Sequence, residues 1–318
     1  MKFDDATDII QLTSKWEGDR FDNGRPRVSD DILTRMEKVA TEEAWSILWQ
    51  NGYKFQFQGD WLTTHGDKIL VGRAVTATMV PMRPDLHDYL LEYGQKEENR
   101  IGFFNSWVIE TLQRDDVMVI DIFGKIYEGT FCGGNLSSTV ATRTGRGQVI
   151  DGGIRDLQQI MGIANLQTFY KGCDPTPIRD VTLVGINTPC RIGDAICMPG
   201  DVVLGTPSGV LFIPPHLVEE CVINAEKTQL REIFGFQRIR EGVYISAQMD
   251  TKWTDAIEAD FADWRKTNTP KALQHLILDE PEPEPDQANS DDTDLTPSTS
   301  EECENSEESE QDDQLTLL

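Results

Sequence analysis

The sequence has no run of about 18 or more apolar residues, so no membrane-spanning helix is expected. Its opening stretch, MKFDDATDIIQLTSKWEGDR, lacks the apolar core of about 7–15 residues and the small-residue cleavage site of a secretory leader. Cysteine is scarce: six stand at 132, 173, 190, 197, 221 and 303, none in a CxxC pair. That is too few for a disulfide framework in 318 residues, and reduced thiols in a cytoplasm are expected. Four histidines, at 65, 87, 216 and 275, are scattered without metal-ligand spacing and receive no role. Lysine and arginine are missing altogether from 279–318, which carries 16 Asp and Glu. The rest of the chain holds 39 acids against 29 bases. Such an acidic body excludes non-specific nucleic-acid binding, which needs clustered cations against phosphates.

What is present divides the chain into four segments. Residues 1–60 read as a helical extension packing on the core. DDILTRMEKVATEEAWSILWQNGY places Ile32, Leu33, Met36, Val39, Ala44, Ile47 and Leu48 at helical spacing, with Thr34 and Glu37 as a capping box and Gly52 as a stop. Trp16, Trp45 and Trp49 read as core or subunit-contact anchors. Residues 61–235 alternate strands and helices. KILVGRAVTATMVP gives β-rich runs, 85–113 a helical stretch, DVMVIDIF a strand covered on both faces, GNLSSTVATRTG a short helix and GQVIDGG another strand. Short strands follow up to FIPP, then a helix over 215–235. Residues 236–278 form a C-terminal helical segment with the amphipathic KWTDAIEADFADWRK. Residues 279–318, rich in Glu, Asp, Pro and Ser, are expected to be disordered, a solvating tail or an acidic arm for a basic partner.

Two segments carry chemistry. Gly133-Gly134-Asn135-Leu136 precedes a helix. Glycines there can turn backbone N–H groups toward an anion, and the helix start adds partial positive charge. In VIDGGIRDLQQI (149–160), a strand and a double-glycine turn lead to Arg155 and Asp156. Arg155 offers a planar fork that matches a carboxylate, or else a surface ion pair. Asp156 is either the N-cap of a short helix or a ligand for a hard cation such as Mg²⁺. Asp151 could cap the turn or orient the arginine. Cys132, beside the glycines, reads as a small packing residue. One helix and one strand join the two segments, a connection that can return both to the same sheet edge.

Gly134, twenty intervening residues and Arg155-Asp156 resemble the G-x20-R-D signature of the RraA-like family. That family includes 4-hydroxy-4-methyl-2-oxoglutarate aldolases, oxaloacetate decarboxylases and the ribonuclease-regulating protein that names it. LVGRAVTATMVP, DVMVID, VIDGGIRD and MPGDVVLGTPSGVLFIPP are similar to family segments in the same order, over roughly 30–235. The resemblance implies an α/β chain, a swivelling β/β/α domain with added N-terminal and C-terminal helices, assembled as a homotrimer or homohexamer with its site at a subunit interface. It implies that Gly133, Gly134, Asn135, Leu136 and Arg155 hold a small 2-oxo acid, and that Asp156 carries Mg²⁺ or Mn²⁺. The implied activity is carbon–carbon cleavage releasing pyruvate through a metal-stabilised enolate, with Arg155 and Asp156 catalytic and no Schiff-base lysine required.

Two positions depart from the pattern. Gln159 stands where the aldolases carry an acid, and Asn135 where members often do. An amide can orient water but cannot take a proton. The alternatives are a catalytically silent oligomer that binds or regulates, and another enzyme of hydroxy- or keto-acids on the same scaffold. A methyltransferase is not expected, because no strand-linked glycine motif is followed by a suitable acid.

Overall fold

A computed structural model describes residues 3–278; the tail expected to be disordered lies outside the described residues. The core is a parallel run of four strands, Leu70–Pro81, Asp116–Asp121, Gly147–Ile154 and Gln167–Cys173, hydrogen-bonded in that order. Nearly unbroken apolar sequence forms these strands because both faces are covered. Met118, Ile120 and Ile150 pack with the helices Pro84–Lys96, Phe104–Glu110 and Gly134–Thr144 around Phe104, Trp107 and Phe131. Val117, Val119, Val149 and Phe169 face the other way, onto the hairpin Cys190–Ile192/Ala195–Cys197. Hairpin, sheet and helices are the three layers of a swivelling β/β/α domain, and the helices beyond it are additions.

The long first strand turns the sheet from parallel to antiparallel. Its start pairs with Val202–Thr206 and its end with Val181–Ile186, both antiparallel. Gly209–Ile213 continues that edge, and Phe57–Gln58 closes it. The short strand Leu62–Thr63 pairs at the opposite edge, on Gln167–Cys173.

The N-terminal helices depart from the sequence reading in two details. The periodic stretch from Asp30 is two helices, Asp30–Met36 and Thr41–Gln50, broken at residues 37–40. Ser29 is the N-cap, its Oγ accepting from Ile32 N at 3.3 Å. Thr34 and Glu37 therefore form no capping box. Thr34 lies inside the helix and donates to Asp30 O, while Glu37 leaves the helix end to pair with Arg146. Gly52 does end the second helix region, at φ +81°, a conformation that favours glycine. The stretch 85–113 is likewise two helices with a bend at Gly102, φ +86°.

The ends of the described chain are fastened to the core by buried charge. Arg25 makes a bidentate pair with Asp116, at 2.7 and 2.8 Å, and both side chains are fully buried. Asp116 also accepts from Gln113 N, yet burial still raises its carboxyl above the ordinary range. Arg35 grips Glu226 on the long helix Val218–Arg240, and His275 reaches the same carboxylate at 2.9 Å. That helix outruns its expected end at 235. Its far half packs Leu230 and Phe234 against Trp253, Ile257, Phe261 and Trp264, a separate aromatic cluster.

Candidate functional site

Two sequence-predicted segments meet where the parallel strands end. The helix Gly134–Thr144 starts immediately after the short strand Thr130–Cys132, with Gly133 as its N-cap. The Gly147–Ile154 strand runs alongside, and Arg155 N donates to Cys132 O at 3.0 Å. That bond carries the Arg-Asp pair past the helix start. Asp156 then adopts φ +56°, a left-handed conformation uncommon for a residue with a side chain.

This backbone turn takes the Asp156 carboxylate away from its own helix. The residue occupies the N-cap position of the short helix Leu157–Met161, yet its carboxylate makes no cap hydrogen bond there. Instead Oδ2 accepts from Gly134 N at 3.1 Å. Arg155 Nε lies 3.8 Å from the same oxygen. An N–H at the positive end of one helix, a guanidinium and a carboxylate thus converge on one spot. Gly133 has no side chain to cap its helix, so the N–H groups of Asn135 and Leu136 stay available to an anion. Asn135 is exposed, and Leu136 is partly buried against the helix-side core.

The two glycines let the side chains of the Arg-Asp segment lie directly on the helix start. A Cβ on Gly133 would collide with Asp156 Oδ2 and lie 2.8 Å from Arg155 Nε. A Cβ on Gly134 would collide with the amide oxygen of Gln159. Gln159 therefore stands directly over the helix start, where its departure from the aldolase pattern bears on the site.

Gly152 and Gly153 play a different part from the expected turn. Both lie inside the Gly147–Ile154 strand. The loop from Ile122 to Gly129 crosses so close that Gly153 N donates to Lys125 O and Gly129 O, and a Cβ on Gly152 would strike Ile122. The close approach, marked by a register shift between Ile150 and Gly153, is what excludes side chains. Asp151 caps no turn there: its Oδ2 accepts from Gly193 N at 3.2 Å, on the hairpin.

Sequence reading missed a neighbouring pair. Asp121 and Asp151 are register partners on adjacent strands, both nearly buried. Burial, followed by the Asp151 charge, raises the Asp121 carboxyl above its ordinary range, against a hydrogen bond from Phe123 N. The available signal was the repeated V-I-D at the ends of two strand-forming runs. Cys132 is fully buried, and burial pushes its thiol up, which suits packing and not nucleophilic chemistry.

Arg155 and Asp156 side chains are each 42% exposed, so the site in one chain is open to solvent. Among the described residues, no group of three or more His, Cys, Asp or Glu is arranged to hold a metal. An ion here would rest on Asp156 and water. That donor set suits Mg²⁺ or Mn²⁺, which accept few carboxylates and retain waters, and does not suit a closed zinc site.

A three-layer α/β protein with an anion-attracting helix start beside an Arg-Asp pair is the class defined so far. A family model described as RraA-like, Aldolase/RraA, matches residues 29–212, and the chain belongs to that family. An uncharacterized protein of Methanocaldococcus jannaschii is 28% identical over 196 residues, 55% of this chain and 91% of that protein. A Halalkalibacterium halodurans protein, named provisionally as a 4-hydroxy-4-methyl-2-oxoglutarate aldolase, is 31% identical over 117 residues. That match spans 36% of this chain and 53% of the relative. In fold, the chain is similar to a Streptomyces coelicolor member of the RNase ES inhibitor RraA protein family, with TM-score 0.57 and 21% identity. The likeness covers 67% of this chain and 99% of the other. The family includes aldolases and ribonuclease regulators. No helix among the described residues is long and apolar enough to cross a membrane.

Proposed function

We propose that the chain is a divalent-metal-dependent carbon–carbon lyase that cleaves a small 2-oxo acid and releases pyruvate. The observation that carries this reading is the Asp156 carboxylate, turned off its own helix onto Gly134 N beside Arg155. A bound Mg²⁺ or Mn²⁺ supplies Lewis acidity at the keto group. The chain's own groups do the rest. Asp156 holds the ion with water. The N–H groups of Asn135 and Leu136 bind the substrate carboxylate, while Gly134 N–H holds Asp156 in place. Arg155 orients it and places fixed positive charge where the enolate develops as the bond breaks. We propose a homotrimer or homohexamer as the working state. The stacked and half-exposed Trp45 and Trp49, 5.0 Å apart, offer an apolar surface for such contacts.

A second reading is favoured by Gln159. With an amide over Gly134, the site has the means to bind a keto acid and lacks the carboxyl acid–base group of the aldolases at that position. A catalytically silent binding or regulatory oligomer follows if turnover is absent. The test is pyruvate release from oxaloacetate and from 4-hydroxy-2-oxo acids with Mg²⁺ or Mn²⁺. Arg155→Ala and Asp156→Ala should each lower kcat/KM by about 10²–10³. Equal background rates for wild type and both variants on every substrate would end the lyase reading.

A further inference from the structure

A cavity lies at the opposite end of the parallel strands from the Arg-Asp pair. It has a volume of about 300 Å³ and is walled by Leu12, Trp16, Ile196, Met198, Pro214 and Pro215. Its position follows from the backbone: Asp201 O accepts from Ala74 N, beside the first residues of the parallel ladder, whereas Arg155 and Asp156 follow the ladder's end. Residues 12–16 precede both the family match of 29–212 and the wider resemblance, so a segment N-terminal to the family core completes the cavity.

Its polar groups are few and organised. At the exposed rim, Lys15 Nζ donates to Tyr53 OH at 3.2 Å, and Tyr53 OH lies 3.1 Å from His216 Nε2. Burial, then the Lys15 charge, lowers the His216 pKa, so its ring favours the neutral form, whose tautomer sets which of the two groups donates. Lys15 uses one of its three donors on Tyr53 and keeps positive charge at the rim. The Trp16 indole N–H is spent on Asp19 O at 2.7 Å, which leaves the ring as an apolar wall. The Gln56 amide nitrogen is spent on Phe212 O and Ile196 O.

At the floor, Asp201 is 1% exposed. Its Oδ2 accepts from Met198 N at 2.8 Å, while its Oδ1 is buried with no partner. Burial pushes its carboxyl up to about 7. Its titratable neighbour Cys197 is pushed up as well, by its own burial first and less by the Asp201 charge. A buried oxygen left without a donor is costly, and a ligand donor would relieve that cost.

We propose that this cavity is a second binding site, for a small monocarboxylic acid with an apolar body and a hydroxyl at its far end. The acid is recognised by Lys15, which Tyr53 positions, the body by Trp16 and the prolines, and the hydroxyl by Asp201. Cavities of this size with apolar walls and a few convergent polar groups suit small organic molecules. The site does not depend on the lyase reading.

Calorimetric titration of the full chain with 4-hydroxyphenylacetate tests it. The expected dissociation constant is below about 1 mM. Lys15→Met and Trp16→Ala should each weaken it about tenfold or more, as should replacing the probe by phenylacetate, which lacks the hydroxyl. Arg155→Ala should leave it unchanged, which separates this site from the one at the sheet's other end. Thermal melts verify that each variant is folded. Absence of binding by the wild type, indifference to Lys15→Met, or loss of binding in Arg155→Ala would overturn the proposal. Equal affinity for the two acids would overturn the role given to Asp201.

Discussion

The two ends of the parallel strands are built by different rules. At the finishing end, Gly134, Arg155 and Asp156 come from consecutive strand–helix units. Any chain that folds this sheet brings them together, because each unit returns to the same edge. At the starting end, the cavity is assembled from residues 12–16, 53–56, 196–201 and 214–216, which meet only through long-range packing. The first end is open and its charges are half-exposed; the second is walled and its carboxylate is buried. An open site can trade ligands with solvent or be completed by another subunit. A walled one selects by shape.

That difference also explains what could be read in advance. The α/β layers were legible because continuous apolar runs and periodic helices alternate between 70 and 173. The Gly134-to-Arg155 spacing was legible because a fixed helix and strand span it. What stayed hidden depends on backbone detail or on distant partners. No pattern announces that Asp156 turns left-handed and abandons its own helix for Gly134 N. The V-I-D repeats did not reveal that Asp121 and Asp151 would stand in register. Gly152-Gly153 looked like a turn because glycine pairs usually are, and only the crossing loop shows why side chains are excluded there. Thr34 and Glu37 have capping-box spacing, but Ser29 precedes the helix and takes the cap. Lys15, Tyr53, His216 and Asp201 carry no shared motif, so the cavity at the starting end was invisible.

The contrast can be broken by loosening the starting end. Arg25→Ala leaves Asp116 buried without its cation and should destabilise the protein by about 3–5 kcal/mol, measured by chemical denaturation. A loss below about 1 kcal/mol would mean that the N-terminal arm is not fastened to the sheet by this pair. A smaller effect comes from the cavity floor. The Asp201 pKa in the fold, about 7, lies above the usual 3.8. The associated stability is fully present below the unfolded-state pKa, and it is lost as pH rises through about 7. Asp201→Asn removes this dependence. The stability of the wild type relative to the variant should therefore fall between pH 4 and 8, by no more than roughly 4 kcal/mol. Parallel pH profiles would show that the Asp201 carboxyl titrates alike in the folded and unfolded chain, and would contradict its burial without a partner.

The central claim is that Asp156 is a metal ligand at an anion-binding edge. Titration of Mn²⁺ into the full chain, followed by electron paramagnetic resonance with oxalate present as a mimic of the pyruvate enolate, tests it most directly. The account predicts a bound Mn²⁺ signal in the wild type that Asp156→Ala abolishes and Lys15→Met leaves intact. Binding that persists unchanged in Asp156→Ala, or that never appears in the wild type, would contradict it.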